Sequence, residues 1–215
     1  MATEKAYKLL AMQENISNNA AKSMIDRGLV YVGNKKVMIA RGEIDVKTIF
    51  KVHKIDKLVT LFENDDIVVV DKPAYVNSDE IERQIKGAQL LHRLDRETSG
   101  VLMLVKNEEF RQKAIKEFAQ DKVYKEYIAW VEGIMSEPME VDKPIITQKK
   151  NNKAYSNVSA KGKPARSEFF PDIVSGGKTK VKCIIHNGRT HQIRVHLRYI
   201  DHPIIGDEQY GGRRA

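Results

Sequence analysis

Two polar clusters in this 215-residue chain hold the side chains that could do chemistry. The first is His92-Arg93-Leu94-Asp95-Arg96-Glu97-Thr98-Ser99-Gly100, set immediately before the apolar run that begins at Val101. A carboxylate between two arginines at a strand edge can act as a nucleophile or as an electrostatic stabiliser. The same string also reads as a charged turn in which Asp95 is solvated or bonds its own backbone. The second cluster, Asn187-Gly188-Arg189-Thr190-His191-Gln192-Ile193-Arg194-Val195-His196-Leu197-Arg198-Tyr199-Ile200, reads as a helix capped by Thr190. Ile193, Leu197 and Ile200 recur at i, i+4 and i+7 as its buried face, with Arg194 and Arg198 one turn apart on another face. A helix N-terminus beside Arg189 suits an anion; an amphipathic helix with solvated arginines is the plain alternative.

Other chemistries fit poorly. Four of the six histidines lie between 186 and 202, but His191 and His196 are five apart and face different ways on a helix, whereas zinc-binding pairs sit at i and i+4. Ser99, His92 and Asp95 share one short loop without a G-x-S-x-G elbow, which argues against a hydrolase triad. A glycosidase would need a second acid opposite Asp95, and Glu97 is too near in sequence to serve. No glycine-rich phosphate loop or dinucleotide fingerprint is present; Gly176-Gly177 and Gly211-Gly212 read as turns. The lone Cys183 excludes an intrachain disulfide and a single-chain thiolate zinc cluster, and its apolar surroundings suit a small buried residue. With 41% hydrophobic residues the chain can pack a core, yet no run is long enough to span a membrane. Residues 1–15 lack the pattern of a secretory leader, which predicts a cytoplasmic protein.

The elements that must position these clusters are legible in part. Residues 1–55 predict a small unit of helices followed by short strands. Asn18 and Asn19 offer a cap to a helix whose Ala21, Met24 and Ile25 share a face, and Gly28 stops it. Gly33-Asn34 then marks a hairpin turn. Lys54 to Lys57 read as a linker, and residues 58–215 as a second domain. There, the run from Ile67 to Val70 is a strand, and the five apolar residues from Val101 predict a strand buried on both faces. Asn107 caps a helix with Phe110, Ala114 and Phe118 on one side. Residues 123–133 alternate as a strand does, and Lys149 to Pro164 reads as a mobile loop without periodicity.

HRLDRETSG and GRTHQIRVHL together resemble the two signature motifs of the RluA family of pseudouridine synthases. KVYKEYIAWVEG (Lys122 to Gly133) is similar to the family's K-x-Y-x-A segment, and HPIIGDEQYGG (His202 to Gly212) to its P-I-x-G-D-x-x-Y-G tail. The four segments stand in family order. The family's first motif commonly runs K-P-x-G followed by a His; here Lys72-Pro73 is followed by Ala74-Tyr75-Val76-Asn77. Family members usually continue beyond the position of Ala215 into another helix and strand. The N-terminal unit is similar, more weakly, to the small RNA-binding domain named after ribosomal protein S-four, through Lys22, Arg27, the turn at Gly28 and Arg41-Gly42-Glu43.

The resemblance implies an α+β fold: a mixed, largely antiparallel catalytic sheet with flanking helices, plus a small N-terminal α/β RNA-binding domain. It implies isomerisation of a uridine within RNA without metal, organic or nucleotide cofactor, by a monomer. Asp95 matches the catalytic aspartate, Arg194 the arginine that pairs with it, and Tyr127 the tyrosine that stacks on the flipped base. The site of attack, base or ribose, stays open. Arg93 is expected to fill the vacated stack or hold a phosphate, with Lys22, Arg27, Arg189 and Arg198 as further RNA contacts. The N-terminal domain favours large-subunit ribosomal RNA as substrate; the alternatives are transfer RNA, or an RNA-binding assembly factor without catalysis.

The net charge of +8 is unevenly spread: +5 over residues 1–60, −3 over 61–160 and +6 over 161–215. The basic flanks predict phosphate contacts, which position RNA without reading its sequence.

Overall fold

Among the described residues, 2–33, 35–120, 122–150 and 153–212 of the computed structural model, apolar residues at helical and alternating spacings build five helices and fifteen strands. The chain divides into two compact units, Met1–Arg111 and Gln112–Ala215. Every pairing between the strands described is antiparallel.

The first unit opens with β1 (Thr3–Lys5), α1 (Ala6–Glu14), α2 (Asn18–Asp26), β2 (Val30–Val32), β3 (Lys35–Lys36), β4 (Glu43–Asp45) and β5 (Lys51–Val52). These elements close round their own core of Ala6, Leu10, Ala11, Ala21, Ile25, Val30 and Phe50. The cap of α2 is Ser17, whose hydroxyl accepts the Ala20 N–H at 3.2 Å; Asn18, expected as a cap, is already helical. Gly28 ends the helix in the left-handed region (φ +76), where a glycine carries no steric penalty. A hairpin joins β2 to β3, and Asn34 of its turn lies outside the described residues.

The same unit continues with β6 (Val59–Glu63), β7 (Ile67–Lys72), α3 (Ser78–Gln84), β8 (Gln89–Leu90) and β9 (Gly100–Val105), whose strands form one sheet in the order β6-β7-β9-β8. Val68, Val70, Leu102 and Leu104 are buried, but Val101 is 56% exposed, so β9 is not covered on both faces as its apolar run suggested. Two-residue alternation survives there beneath uniformly apolar side chains. The side chain of Asn107 caps α4 (Glu108–Ala119) by accepting from the Glu109 and Phe110 N–H groups.

The second unit holds β10 (Glu126–Glu132), β11 (Met139–Asp142), β12 (Ile145–Lys150), β13 (Lys153–Val158), β14 (Arg166–Ser175), β15 (Lys178–Ile185) and α5 (Gln192–Tyr199). A four-stranded sheet, β10-β15-β14-β11, packs Val131, Phe169, Val181 and Cys183 with Leu197 of α5, flanked by Ile193 and Ile200. Two expectations are corrected here. Half of the segment read as a mobile loop, residues 149–150 and 153–158, lies in the paired strands β12 and β13, and residues 151 and 152 are not described. Its alternation is hidden because an inward residue is polar: the buried Ser156 bonds the Thr147 hydroxyl at 2.9 Å and donates its backbone N–H to the Tyr210 hydroxyl at 2.8 Å. The helix α5 is preceded by His191 in the left-handed region (φ 57) rather than capped by Thr190. The Gln192 side chain meets the chain there instead, accepting the Arg189 N–H at 3.0 Å.

His196 is fully buried between Ser167 Oγ (2.9 Å, to Nδ1) and the Lys143 carbonyl (3.0 Å, to Nε2). Burial lowers its pKa below the ordinary 6.5, so the folded state holds a neutral ring. Its folded pKa lies below the unfolded one, so its contribution to stability is present above pH 6.5 and is lost as pH falls below that value. Urea unfolding should show a lower midpoint at pH 5.5 than at pH 7.5 in the wild type, and His196→Gln should shrink that difference; an equal difference in the variant would remove His196 from the account.

Candidate functional site

The loop bearing Asp95 is fixed on both sides of that residue. Leu94 is buried; its N–H donates to Ser78 Oγ and its carbonyl accepts from the same hydroxyl, each at 3.1 Å. Ser78 is the first residue of α3, a helix opened by a capping box between Asn77 and Glu80. On the other side the Arg96 carbonyl is held by Lys72 Nζ at 3.3 Å. Lys72 has no exposed surface, and its ammonium also donates to the carbonyls of Pro73 (2.9 Å) and Val76 (2.7 Å). Burial pushes its pKa down from 10.5 to about 8, opposed by the carboxylates of Glu97, Asp95 and Glu80. Within the loop the Thr98 N–H closes a turn on the Asp95 carbonyl at 3.1 Å, and His92 Nε2 accepts the Met103 N–H. Asp95 itself is half-buried.

Arg194 stands in α5 of the second unit, held along one edge by Asp207. Its Nε and Nη2 donate to the two carboxylate oxygens at 2.7 and 2.9 Å, and Nη2 also reaches Gln209 Oε1 at 3.1 Å. The Tyr210 ring lies under the guanidinium, 4.8 Å from centroid to carbon. A two-point fork of this kind fixes the plane of the guanidinium, which a lysine could not reproduce. Tyr210 is buried; its hydroxyl accepts the Ser156 N–H and lies 2.7 Å from His191 Nδ1. The turn bearing Asp207 is closed by the Tyr210 and Gly212 N–H groups on the Asp207 carbonyl. A Cβ at Gly212 would lie 1.8 Å from the Ile204 oxygen, so only glycine fits. Tyr127, in β10 opposite Cys183, is half-buried and packs on the core that Leu197 shares.

Asp95 and Arg93 thus share one loop of the first unit, while Tyr127 and Arg194 stand in the second, Tyr127 packed on the core that Ile193 and Leu197 of α5 and Ile200 after it also reach. Arg93 pairs with Asp79 through two bonds of 2.6 and 3.0 Å, well exposed to solvent. Lys22 sits over the Tyr7 ring at 4.4 Å, Arg27 pairs with Glu80, Arg189 Nε donates to the Pro164 carbonyl, and Arg198 is exposed. Sequence reasoning missed the roles of Lys72, Ser78, Asp207 and Tyr210. Only the G-D-x-x-Y-G match touched Asp207 and Tyr210, and it assigned them no task. Among the described residues, no three His, Cys, Asp or Glu side chains gather as metal ligands.

Residues 66–199 match the family model described as RNA pseudouridylate synthase. The chain is also 50% identical over 208 residues to a Helicobacter pylori (strain J99) protein named as an uncharacterized RNA pseudouridine synthase, covering 96% of this chain and 86% of that one. The chain belongs to the RNA pseudouridine synthase family. It is 29% identical over 227 residues to ribosomal large subunit pseudouridine synthase D of Pasteurella multocida, which covers 92% of this chain and 69% of the relative. Among solved structures it superposes on human RNA pseudouridylate synthase domain containing 1 with a TM-score of 0.62 at 27% identity, over 72% of this chain and 70% of that one. As a pseudouridine synthase it is an isomerase that modifies RNA. None of the described helices is long and apolar enough to cross a membrane.

Replacing Lys72 by Met keeps the volume but leaves three carbonyls without their donor, which should cost about 1–3 kcal/mol of stability. Urea denaturation of Lys72→Met would show this as a lower midpoint; an unchanged midpoint would mean that the carbonyls find other donors without cost.

Proposed function

We propose that this pseudouridine synthase modifies uridine in large-subunit ribosomal RNA, with Asp95 as the nucleophile, Arg194 as its cationic partner and Tyr127 as the surface on which the target base stacks. The observation that carries the reading is the anchoring of the chain at both neighbours of Asp95. A carboxylate that must meet one nucleoside carbon gains from being placed in advance, because an error of an ångström costs orders of magnitude in rate. The Asp207 fork gives Arg194 the same kind of preorganisation.

The reaction breaks the bond from uracil N1 to ribose C1′ and makes one from C5 to C1′; the C5 proton leaves and N1 takes one up, so atoms and charge balance. Uracil must turn between the two steps without escaping, and Tyr127 supplies a face for it. A uridine in folded RNA reaches the carboxylate only after leaving its stack, at a cost of a few kcal/mol. Arg93 is suited to answer that cost, since its exposed pair with Asp79 holds it weakly and is readily exchanged for a phosphate or a vacated stack.

Residues 1–55 are assigned as an RNA-binding domain of the ribosomal protein S-four type and residues 58–215 as the catalytic domain. Lys22, Arg189 and Arg198 serve the phosphates. Arg27, more enclosed and paired with Glu80, belongs to the protein's own framework instead. The preference for ribosomal RNA rests on this domain and on the name of the Pasteurella relative.

Asp95→Asn should abolish pseudouridine formation while RNA binding persists, and measurable turnover by the pure variant would sink the assignment. Arg194→Lys should lose about 10²-fold in rate, in the range seen when a preorganised charge contact is removed; near-normal rates would mean that the paired geometry is irrelevant. Mapping pseudouridines in RNA from cells with and without the gene should show a site lost from large-subunit ribosomal RNA. A loss confined to transfer RNA would overturn the substrate.

A further inference from the structure

The α2 helix ends at Asp26, and a last-turn carbonyl has no helical N–H to accept. The Asp26 carbonyl is met instead by Arg96 Nη1 at 3.2 Å. Arg96 immediately follows Asp95, and its Nε and Nη2 hold Glu97 of the same loop. The next residue along, Arg27, pairs with Glu80 in the first turn of α3. One Glu80 oxygen closes the capping box with Asn77 while the other takes Arg27. That turn also begins with Ser78, which grips the backbone of Leu94. The two neighbours of Asp95 are therefore each linked to the end of α2, one directly and one through α3.

A third link runs through Tyr75. It has φ +66, a region that bulky side chains rarely occupy and that persists only where the surroundings hold it. The left-handed turn here wraps the Lys72 ammonium, which collects the carbonyls of Pro73 and Val76 on either side. The Tyr75 side chain is half-buried with Tyr31 of β2, Lys36 of β3 and Glu97 of the loop as its electrostatic neighbours. Burial first, and the adjacent Tyr31 next, hold its phenol above the usual pKa. Strain at Tyr75 is thus retained where a side chain is needed to reach the N-terminal hairpin.

A domain that only tethered RNA would need its connecting segment, residues 53–58, and nothing more. We propose that α2 and the β2–β3 hairpin are a positioning element of the active site, with Arg27, Tyr75 and Arg96 as the positioning residues that hold the loop of Asp95. This rests on the reading of Asp95 as the nucleophile. RNA gripped by the N-terminal elements is then held in a fixed relation to the loop that acts on it, and the saturated rate, as well as affinity, depends on the docking.

The test uses the full chain carrying Arg27→Gln with Tyr31→Ala, and separately Tyr75→Gly, which relaxes the backbone and so keeps the protein folded. Hydrogen exchange is read at residues 94–99, with β9 amides as the internal control. Turnover is read by tritium release from total RNA labelled at uridine C5 and isolated from cells lacking the gene. Amides of the loop should exchange about ten-fold faster in both variants while β9 is unchanged. The single-turnover rate at saturating enzyme should fall about ten-fold, as expected for a displaced reacting group, with the half-saturating concentration within about three-fold of wild type. Unchanged loop exchange would overturn the docking. An unchanged saturated rate with a raised half-saturating concentration would reduce the N-terminal elements to a tether. These outcomes are separate from failure of the nucleophile: turnover by Asp95→Asn would remove the reason for positioning the loop even if its exchange responded as expected.

Discussion

The loop that carries Asp95 depends on one buried charge. Lys72 ends β7 with no exposed surface and an ammonium group satisfied by three carbonyls. Removing such a charge from water is expensive, and it is tolerated here because each of its three N–H bonds has an acceptor. Those acceptors come from two separate pieces of chain, the turn at Tyr75 and the loop at Arg96. Satisfying the lysine therefore brings the pieces together. The left-handed Tyr75 lies within one of those pieces, and Ser78 grips Leu94 at the start of the other.

The second unit solves a similar problem with another cation, oriented by a carboxylate instead of by carbonyls. Its fixed charge is the guanidinium of Arg194, and the partners that orient it come from the turn at Asp207 to Tyr210. Tyr210 carries the constraint further, since its hydroxyl also fixes the β12–β13 hairpin through Ser156. An RNA isomerase that uses neither metal nor cofactor in its proposed mechanism must obtain its rate from placement of ordinary side chains. Both units place theirs by buried polar bonds rather than by apolar packing alone, which makes each arrangement specific.

Sequence patterns were informative where the determinant was local. Asn107 before an apolar repeat identified α4, Gly28 identified the end of α2, and the two signature strings identified the family. They were silent where a residue's partner lies far along the chain. Ser156 looked like loop because its inward polar side chain is satisfied by Thr147 and its backbone by Tyr210. Lys72 stood only in a motif comparison as the residue before Pro73, and nothing nearby announces that three carbonyls will surround its ammonium. The departure at Ala74-Tyr75 was visible as an irregularity in a motif, but its meaning needed the backbone angle at Tyr75 and the identity of the residues around its ring. The fold class was legible; the supports of the loop that carries Asp95 were not.

Cys183 has a consequence of a practical kind. It is the only thiol in the sequence, it is fully buried in β15, and burial pushes its pKa up to about 12. The thiolate, which is the reactive form, is therefore scarce at neutral pH and inaccessible when formed. The native protein already behaves as a cysteine-free background: a thiol introduced at a chosen exposed position would take up a fluorophore or spin label there, without any need to replace the core residue that β15 packs around.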